Sequence, residues 1–244
     1  MKTIALYNLK GGVGKTTSAV NLAYISAIRK KKTVLWDWDP QAAASWYFGV
    51  DLDANKAIRV LQGGTPLGRL QAHTPYPWLT VIPADLSLRN TDLEFDDIDG
   101  PRKMMRKLIA PLSEDTLLLI FDCPPSLSPT MDYVLSTTDI LLVPMIPSPL
   151  SLRAMEQVVQ FFNGKKRRPK HIIGFFTMVD MRRSLHQETI AAAKKLPIHI
   201  LNTVIPMDSA AERMALSREP LGECAKNSRA FHAYENLWLE LELL

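Results

Sequence analysis

Eight consecutive residues, Lys10-Gly11-Gly12-Val13-Gly14-Lys15-Thr16-Thr17, combine glycines, lysines and hydroxyls in one short stretch. Glycines let backbone amides approach phosphate oxygens, and a helix opening directly behind them points its N-terminal amides at an anion. The stretch reads as a phosphate cradle. Against the general phosphate-loop pattern G-x-x-x-x-G-K-[ST], Gly14-Lys15-Thr16 occupy the last three positions, and Leu9 stands where the opening glycine belongs. Lys15 then corresponds to the phosphate lysine and Thr16 to the magnesium-binding hydroxyl. Lys10 is a second lysine at the start of the loop. Farther on, Asp37-Trp38-Asp39-Pro40-Gln41 carries two carboxylates, either of which chemistry could use. A capping role for Asp39, ahead of a helix beginning near Gln41, is the structural alternative. The apolar run 117–121 ends in Asp122, a carboxylate placed to hold the water shell of a magnesium ion.

These groups converge only if strands and helices deliver them to one edge of a sheet. Residues 3–8 are apolar and β-branched enough for a buried strand, and the glycine-rich residues follow at once. Apolar positions 19–27 predict a helix that ends in the basic run 29–32, and 33–38 reads as the next strand. The segment 1–38 is therefore a βαβ unit with parallel pairing and a right-handed crossover. Residues 50–100 are punctuated by Gly63-Gly64-Thr65-Pro66 and Pro75-Tyr76-Pro77, with 79–82 as a candidate strand. Alternation resumes with strand 116–122, helix 129–137, strand 139–144 and helix 149–163. Strands at 171–178 and 198–204 follow, separated by a helix over 185–195, and a final helix occupies 228–243. The pattern is an α/β, doubly wound, mostly parallel sheet with helices on both faces, and its sites belong at the carboxyl ends of the strands.

Composition agrees with one globular domain over residues 1–244: 47% of residues are hydrophobic and 22% charged. Apolar runs such as 117–121 and 140–146 fall far short of the roughly 20 residues that cross a bilayer. Residues 1–3 lead straight into a strand with no signal core, so the chain is expected in the cytoplasm. Cys123 and Cys224 are too few and too far apart for a zinc site or a disulfide framework, and free thiols are expected. The net charge of +4 is mild but clustered, in Arg29 to Lys32 and Lys165 to Lys170. Solvated helix ends account for both runs, with anion binding as the alternative.

KGGVGKTT resembles the deviant Walker A motif of the ParA/MinD superfamily of ATPases. Asp37 to Gln41 is similar to that family's DxDPQ signature, and Asp122-Cys123-Pro124-Pro125-Ser126 to its DxPPS switch segment. Residues 144–152 resemble the strand-to-helix stretch that follows. Val204 to Asp208 looks like the segment lining the adenine base, with Met207 where the family often has arginine or glutamate. The likeness extends over nearly the whole chain. It implies a P-loop NTPase binding ATP and Mg²⁺, with Gly11, Gly12, Val13, Gly14, Lys15, Thr16, Thr17, Pro206, Met207 and Asp208 at the nucleotide. Thr16, Asp37 and Asp122 would lie at the metal. It assigns Lys10 to the nucleotide of a second subunit, so that ATP joins a homodimer, and Asp39 to the attacking water.

The chain begins at its first strand, which resembles short ParA-type partition ATPases without an N-terminal helix-turn-helix. Such proteins bind nonspecific DNA as ATP dimers and hydrolyse ATP under stimulation by a ParB-like or other adaptor protein, which implies nucleoid association. Basic candidates for phosphate contact are Arg182, Arg183, Lys194, Lys195, Lys226 and Arg229. The other implied function is a MinD-like ATP-gated switch that docks on a protein or membrane partner without DNA. The last helix, however, is amphipathic and acidic, which anionic lipid would repel. Iron-sulfur relatives need cysteine ligands at the dimer interface, and Cys123 with Cys224 do not match that placement.

Overall fold

The computed structural model describes residues 1–50, 56–92 and 101–244, with the unclear stretch 50–100 described only in part. Among these, eight strands form one sheet: β1 (Lys2–Leu6), β2 (Thr33–Asp37), β3 (Ala72–His73), β4 (Leu79–Ile82), β5 (Leu118–Asp122), β6 (Ile140–Met145), β7 (His171–Val179) and β8 (His199–Pro206). Their spatial order is β3-β4-β2-β5-β1-β6-β7-β8. Every pairing is parallel except that of the two-residue β3 with β4. The expected doubly wound sheet is therefore present, with one antiparallel edge strand that the short, polar stretch around it did not announce.

The helices are α1 (Lys15–Ile28), α2 (Ala43–Tyr47), α3 (Lys56–Leu61), α4 (Pro101–Ile109), α5 (Pro129–Leu135), α6 (Pro149–Phe162), α7 (Ser184–Ala193), α8 (Ser209–Ser217), α9 (Leu221–Cys224) and α10 (Arg229–Glu242). Expected boundaries hold to within a few residues. The short α8 and α9 lie in a stretch where the sequence shows no sustained apolar period. Strand alternation divides the core into two layers. Along β1, Ile4 and Leu6 face the layer of α1 and α10, whereas Ala5 and Tyr7 face the layer of α5 and α6. Helix α1 packs on the central strands with α10 beside it, α10 covering β8, and nearly all the length of α1 is buried.

The acidic final helix now has a structural explanation. Its apolar face, Phe231, Tyr234, Leu237, Trp238 and Leu241, is buried, and its carboxylates are used within the fold. Glu242 pairs with Lys31 at 2.5 Å and Arg29 at 3.6 Å, and Glu240 accepts the amides of Asn202 and Thr203 on the edge strand β8. In the second basic run, Lys165 pairs with Asp132 and Lys170 with Asp139. Parts of both runs are thus tied into the fold by exposed ion pairs, each worth only about 0–1 kcal/mol. No helix among the described residues is long and apolar enough to cross a membrane, and both cysteines are free thiols, Cys123 buried and Cys224 exposed.

Candidate functional site

Strand β1 lies between β5 and β6, so the chain leaving it emerges where the strand order reverses, the place where open α/β sheets bind ligands. The loop 10–17 occupies this point and runs directly into α1. Gly12 and Gly14 have φ of 70° and 83°, left-handed values that cost a side-chain-bearing residue roughly 1–2 kcal/mol. No side-chain cap closes the N-terminus of α1, so its amides remain for a ligand.

The loop is held from three sides. Asn8, fully buried, donates from Nδ2 to the Pro144 carbonyl at 2.8 Å and accepts the Lys10 amide on Oδ1 at 2.9 Å. The Lys15 ammonium donates to the Lys10 carbonyl at 3.1 Å. On β7, the Thr177 hydroxyl donates to the Val13 carbonyl at 2.9 Å, and the neighbouring Met178 has a left-handed φ of 54°. Neither Asn8 nor Thr177 was singled out in the sequence. An asparagine ending a strand and a threonine inside a distant one carry no local signal of this contact.

The three acidic positions converge. Asp37 and Asp122 are register partners at the ends of the adjacent strands β2 and β5, and both are fully buried. Asp37 uses both oxygens within the chain: Oδ1 accepts the Asp39 amide, and Oδ2 accepts the amide and hydroxyl of Ser45 at 2.9 and 2.7 Å. Burial pushes its carboxyl up to about 6, against the opposing Ser45 and Asp39 hydrogen bonds. Asp39 is half-buried and accepts the Gln41 amide at 2.9 Å, so the turn-capping geometry exists at the residue also expected at the water.

Neither oxygen of Asp122 has a hydrogen-bond partner. Burial raises its pKa well above the usual carboxylate range and the neighbouring Asp37 adds to the rise. The Thr16 hydroxyl and Lys15 oppose it, although Thr16 closes no ordinary hydrogen bond to either oxygen. Burial lowers the Lys15 pKa, against the attraction of Asp122 and Asp39. An unpaired buried carboxylate beside a threonine hydroxyl and a lysine is the donor set a hydrated divalent cation fits. The residues present therefore suit Mg²⁺, with Thr16 and Asp122 the groups free to hold it.

Beside the loop lies a cavity of about 240 Å³, lined by Gly14, Thr17, Met178, Pro206, Met207 and Asp208 among others. The expected base-lining residues thus meet the phosphate loop. Asp208 is also structural: it caps α8 through the Ala210 amide and accepts the Ala230 amide at the start of α10.

The six basic candidates do not form one cluster. Arg182 and Arg229 line a single pocket of about 340 Å³ at the carboxyl ends of β7 and β8. Arg183 adjoins it, and exposed Lys226 precedes α10. Lys194 and Lys195 follow the far end of α7, roughly 15 Å along that ten-residue helix. Arg182 is held by both oxygens of Asp180, each at 2.9 Å.

Comparison with known proteins places this geometry among relatives. The model of the AAA_31 family, described as an AAA domain, matches residues 1–173. The chromosome-partitioning ATPase Soj of Treponema pallidum is 29% identical over 248 residues, covering 98% of this chain and 96% of that protein. The chromosome partitioning protein ParA of Caulobacter vibrioides is 30% identical over 219 residues, covering 84% and 80%. In fold, the chain is similar to cobyrinic acid a,c-diamide synthase from Mycobacterium smegmatis, solved with bound ADP and magnesium. The TM-score is 0.84 at 22% identity, over 99% of this chain and 94% of that one.

Proposed function

The chain belongs to the AAA_31 family of AAA domains and, within it, to the ParA-type ATPases of the ParA/MinD superfamily, and from that premise we propose that it partitions a macromolecular cargo through ATP-dependent dimerisation and binding to nonspecific DNA. ATP hydrolysis and the use of ATP and Mg²⁺ go with that membership. The cargo is a plasmid, a chromosome region or a protein assembly. A ParB-like or other adaptor protein stimulates hydrolysis, residues 1–244 act as one ATPase domain, and the protein works in the cytoplasm on the nucleoid.

The observation that carries this proposal is the fully buried carboxylate of Asp122, without a partner, beneath a loop whose Gly12 and Gly14 are left-handed and whose Lys15 turns back onto Lys10. Phosphoryl transfer asks a protein chiefly for positioning and charge stabilisation. A bound magnesium ion supplies the charge that neutralises the phosphate oxygens. The loop amides and Lys15 hold the phosphates, Thr16 and Asp122 hold the metal's shell, and Asp39 orients the attacking water. Asp37, its oxygens taken by Ser45 and the Asp39 amide, serves by fixing the Asp39 turn. Lys10, half-buried at the loop's start, reaches the nucleotide of the second subunit.

DNA contact falls to Arg183, Lys226 and Arg229, with Lys194 and Lys195 adding a second patch and Arg182 joining the first only when released from Asp180. The buried apolar face of α10 disfavours a membrane-surface role, because that face is used inside the fold. Gel-shift titration with random duplex DNA tests the proposal. Binding with ATP and not with ADP is expected, and equal or absent binding in both states refutes the DNA function.

A further inference from the structure

Two fully buried residues, Tyr7 and Asn8, follow β1. Asn8 braces the phosphate loop against Pro144 at the end of β6. Tyr7 reaches to the other neighbour of β1: its hydroxyl donates to the Ser126 carbonyl at 2.9 Å, across 119 positions of sequence, in the turn that follows Asp122 and β5. No role described above uses it. A phenylalanine would fill the same apolar layer, whereas a buried tyrosine must find a partner for its hydroxyl. Burial, and then the nearby Cys123, push the Tyr7 pKa up, so the hydroxyl stays protonated and remains a donor.

Residues 124–127 have little else to hold them. Pro124 and Pro125 carry no amide hydrogen, and the Ser126 amide donates back to the Pro124 carbonyl inside the turn at 2.9 Å. Pro125 and Leu127 are exposed, so packing does not pin the turn. On either side the chain is fixed. The Cys123 amide donates to the Leu6 carbonyl at 3.2 Å, and Ser128 caps α5 through the Met131 amide. Among the described residues, the Tyr7 hydroxyl therefore makes the single hydrogen bond that joins residues 124–127 to the rest of the protein. The two prolines limit the shape of the turn, and Tyr7 sets its place.

We propose that Tyr7 is a positioning residue for ATP hydrolysis, its hydroxyl holding the turn 124–127 in place beside the Asp122 carboxylate and the phosphate loop. The loop is braced by Asn8 and the turn by Tyr7, so two consecutive residues of one strand end fix the two segments relative to each other. Asp122 immediately precedes the turn, and neither of its oxygens has a hydrogen bond to aim it. A turn free to shift by about 1 Å would misplace the reacting groups, an error that costs up to roughly 10²-fold in rate. Phosphate binding by the loop amides and Lys15 does not pass through Tyr7, so the hydroxyl serves turnover and not affinity. The inference rests on the proposed place of Asp122 at the metal; the bond between Tyr7 and Ser126 does not.

The test is Tyr7→Phe in the full chain, which deletes the hydroxyl and keeps the ring. Tyr24→Phe is the control: it too loses a hydroxyl bond, to Glu223 at 2.7 Å, roughly 13 Å along α1 from Lys15. Well below the melting temperatures of both variants, Tyr7→Phe should lower kcat by at least about tenfold and leave KM and the affinity for a fluorescent ATP analogue within about twofold. Tyr24→Phe should keep the wild-type kcat. In the nucleotide-free protein, hydrogen exchange over residues 123–128 should be about tenfold faster in Tyr7→Phe, and exchange over residues 10–17 unchanged. A wild-type kcat in Tyr7→Phe overturns the proposal whatever the exchange shows, because the bond is then structural only. A lower kcat without faster exchange at 123–128 overturns it as well. An ATP affinity that falls together with kcat would move the effect to the phosphate loop, and an equal loss of kcat in Tyr24→Phe would reduce it to general destabilisation; either result overturns the positioning role. If Asp122→Asn hydrolyses ATP at the wild-type rate, the metal assignment fails, and the kcat of Tyr7→Phe still decides whether Tyr7 serves the reaction.

Discussion

Asp37 and Asp122 stand side by side at the ends of β2 and β5, paired in register and fully buried, yet they are in opposite states of satisfaction. Asp37 has a partner for each oxygen, and Asp122 has none. One carboxylate therefore shapes the loop that follows it, and its neighbour is left for a cation.

The pair should give the metal-free protein an unusual pH dependence. Burial raises the folded-state pKa of Asp37 to about 6 from an ordinary 3.8, so between those values the folded chain binds a proton that the unfolded chain has released. The stabilisation is complete below about pH 4 and is lost as pH rises through about 6, by about 3 kcal/mol for this group. Asp122 shifts in the same direction. Urea unfolding in chelator across this window should show these groups favouring the acid side. Asp37→Asn should flatten that trend, and a trend unchanged in the variant would refute the assignment.

The Lys15 ammonium rests on the Lys10 carbonyl, and nucleotide phosphate would draw it away. Lys15→Ala removes a charge-assisted contact worth about 1.5–3 kcal/mol and should weaken ATP binding by roughly 10- to 100-fold. Lys10→Ala should bind ATP with near-normal affinity and remain monomeric. Fluorescent-nucleotide titration and light scattering with ATP separate the two outcomes, and an ATP-dependent dimer in Lys10→Ala removes the proposed contact across the interface.

Asp39→Ala should lower turnover by about 10²–10⁴-fold, the range typical of an acid–base or water-orienting group, and should accumulate the ATP-bound dimer. Steady-state phosphate release measures the first effect and size-exclusion chromatography the second. Normal hydrolysis would leave Asp39 as a turn cap for Gln41 alone.

Thr177→Val deletes the hydroxyl that holds the Val13 carbonyl while keeping the side chain's shape. Leaving that carbonyl without its donor should cost about 1–3 kcal/mol, seen as a lower melting temperature and weaker ATP binding together. A wild-type ATP affinity in the variant would show that β7 does not position the loop.

Arg182 is neutralised by Asp180, so its availability to DNA depends on that carboxylate. Asp180→Asn should strengthen binding to random duplex and steepen its salt dependence, each further phosphate contact adding roughly 0.9 to the slope of log affinity against log salt. Arg182→Ala should change little on its own in the wild type and cancel the gain in the Asp180→Asn background. An unchanged slope in Asp180→Asn would place Arg182 outside the DNA surface.

What the sequence by itself determined was local and periodic. Glycines at 11, 12 and 14 before a lysine and two threonines, an apolar strand ahead of them, and aspartates ending two later strands are properties of neighbouring residues, and the βαβ order follows from apolar runs alternating with helical spacing. Tertiary structure decided which of those groups is free to act. The register of β2 on β5 set Asp37 against Asp122, and the fold of the following turn brought Ser45 of α2 onto Asp37 and removed it from the set of open ligands. Asn8 and Thr177 became braces of the loop only because β6 and β7 lie beside β1 and its following turn. The basic candidates, alike in sequence, were divided between the two ends of α7. Contacts between residues more than a hundred positions apart depend on strand order and burial, and no spacing along the chain encodes them.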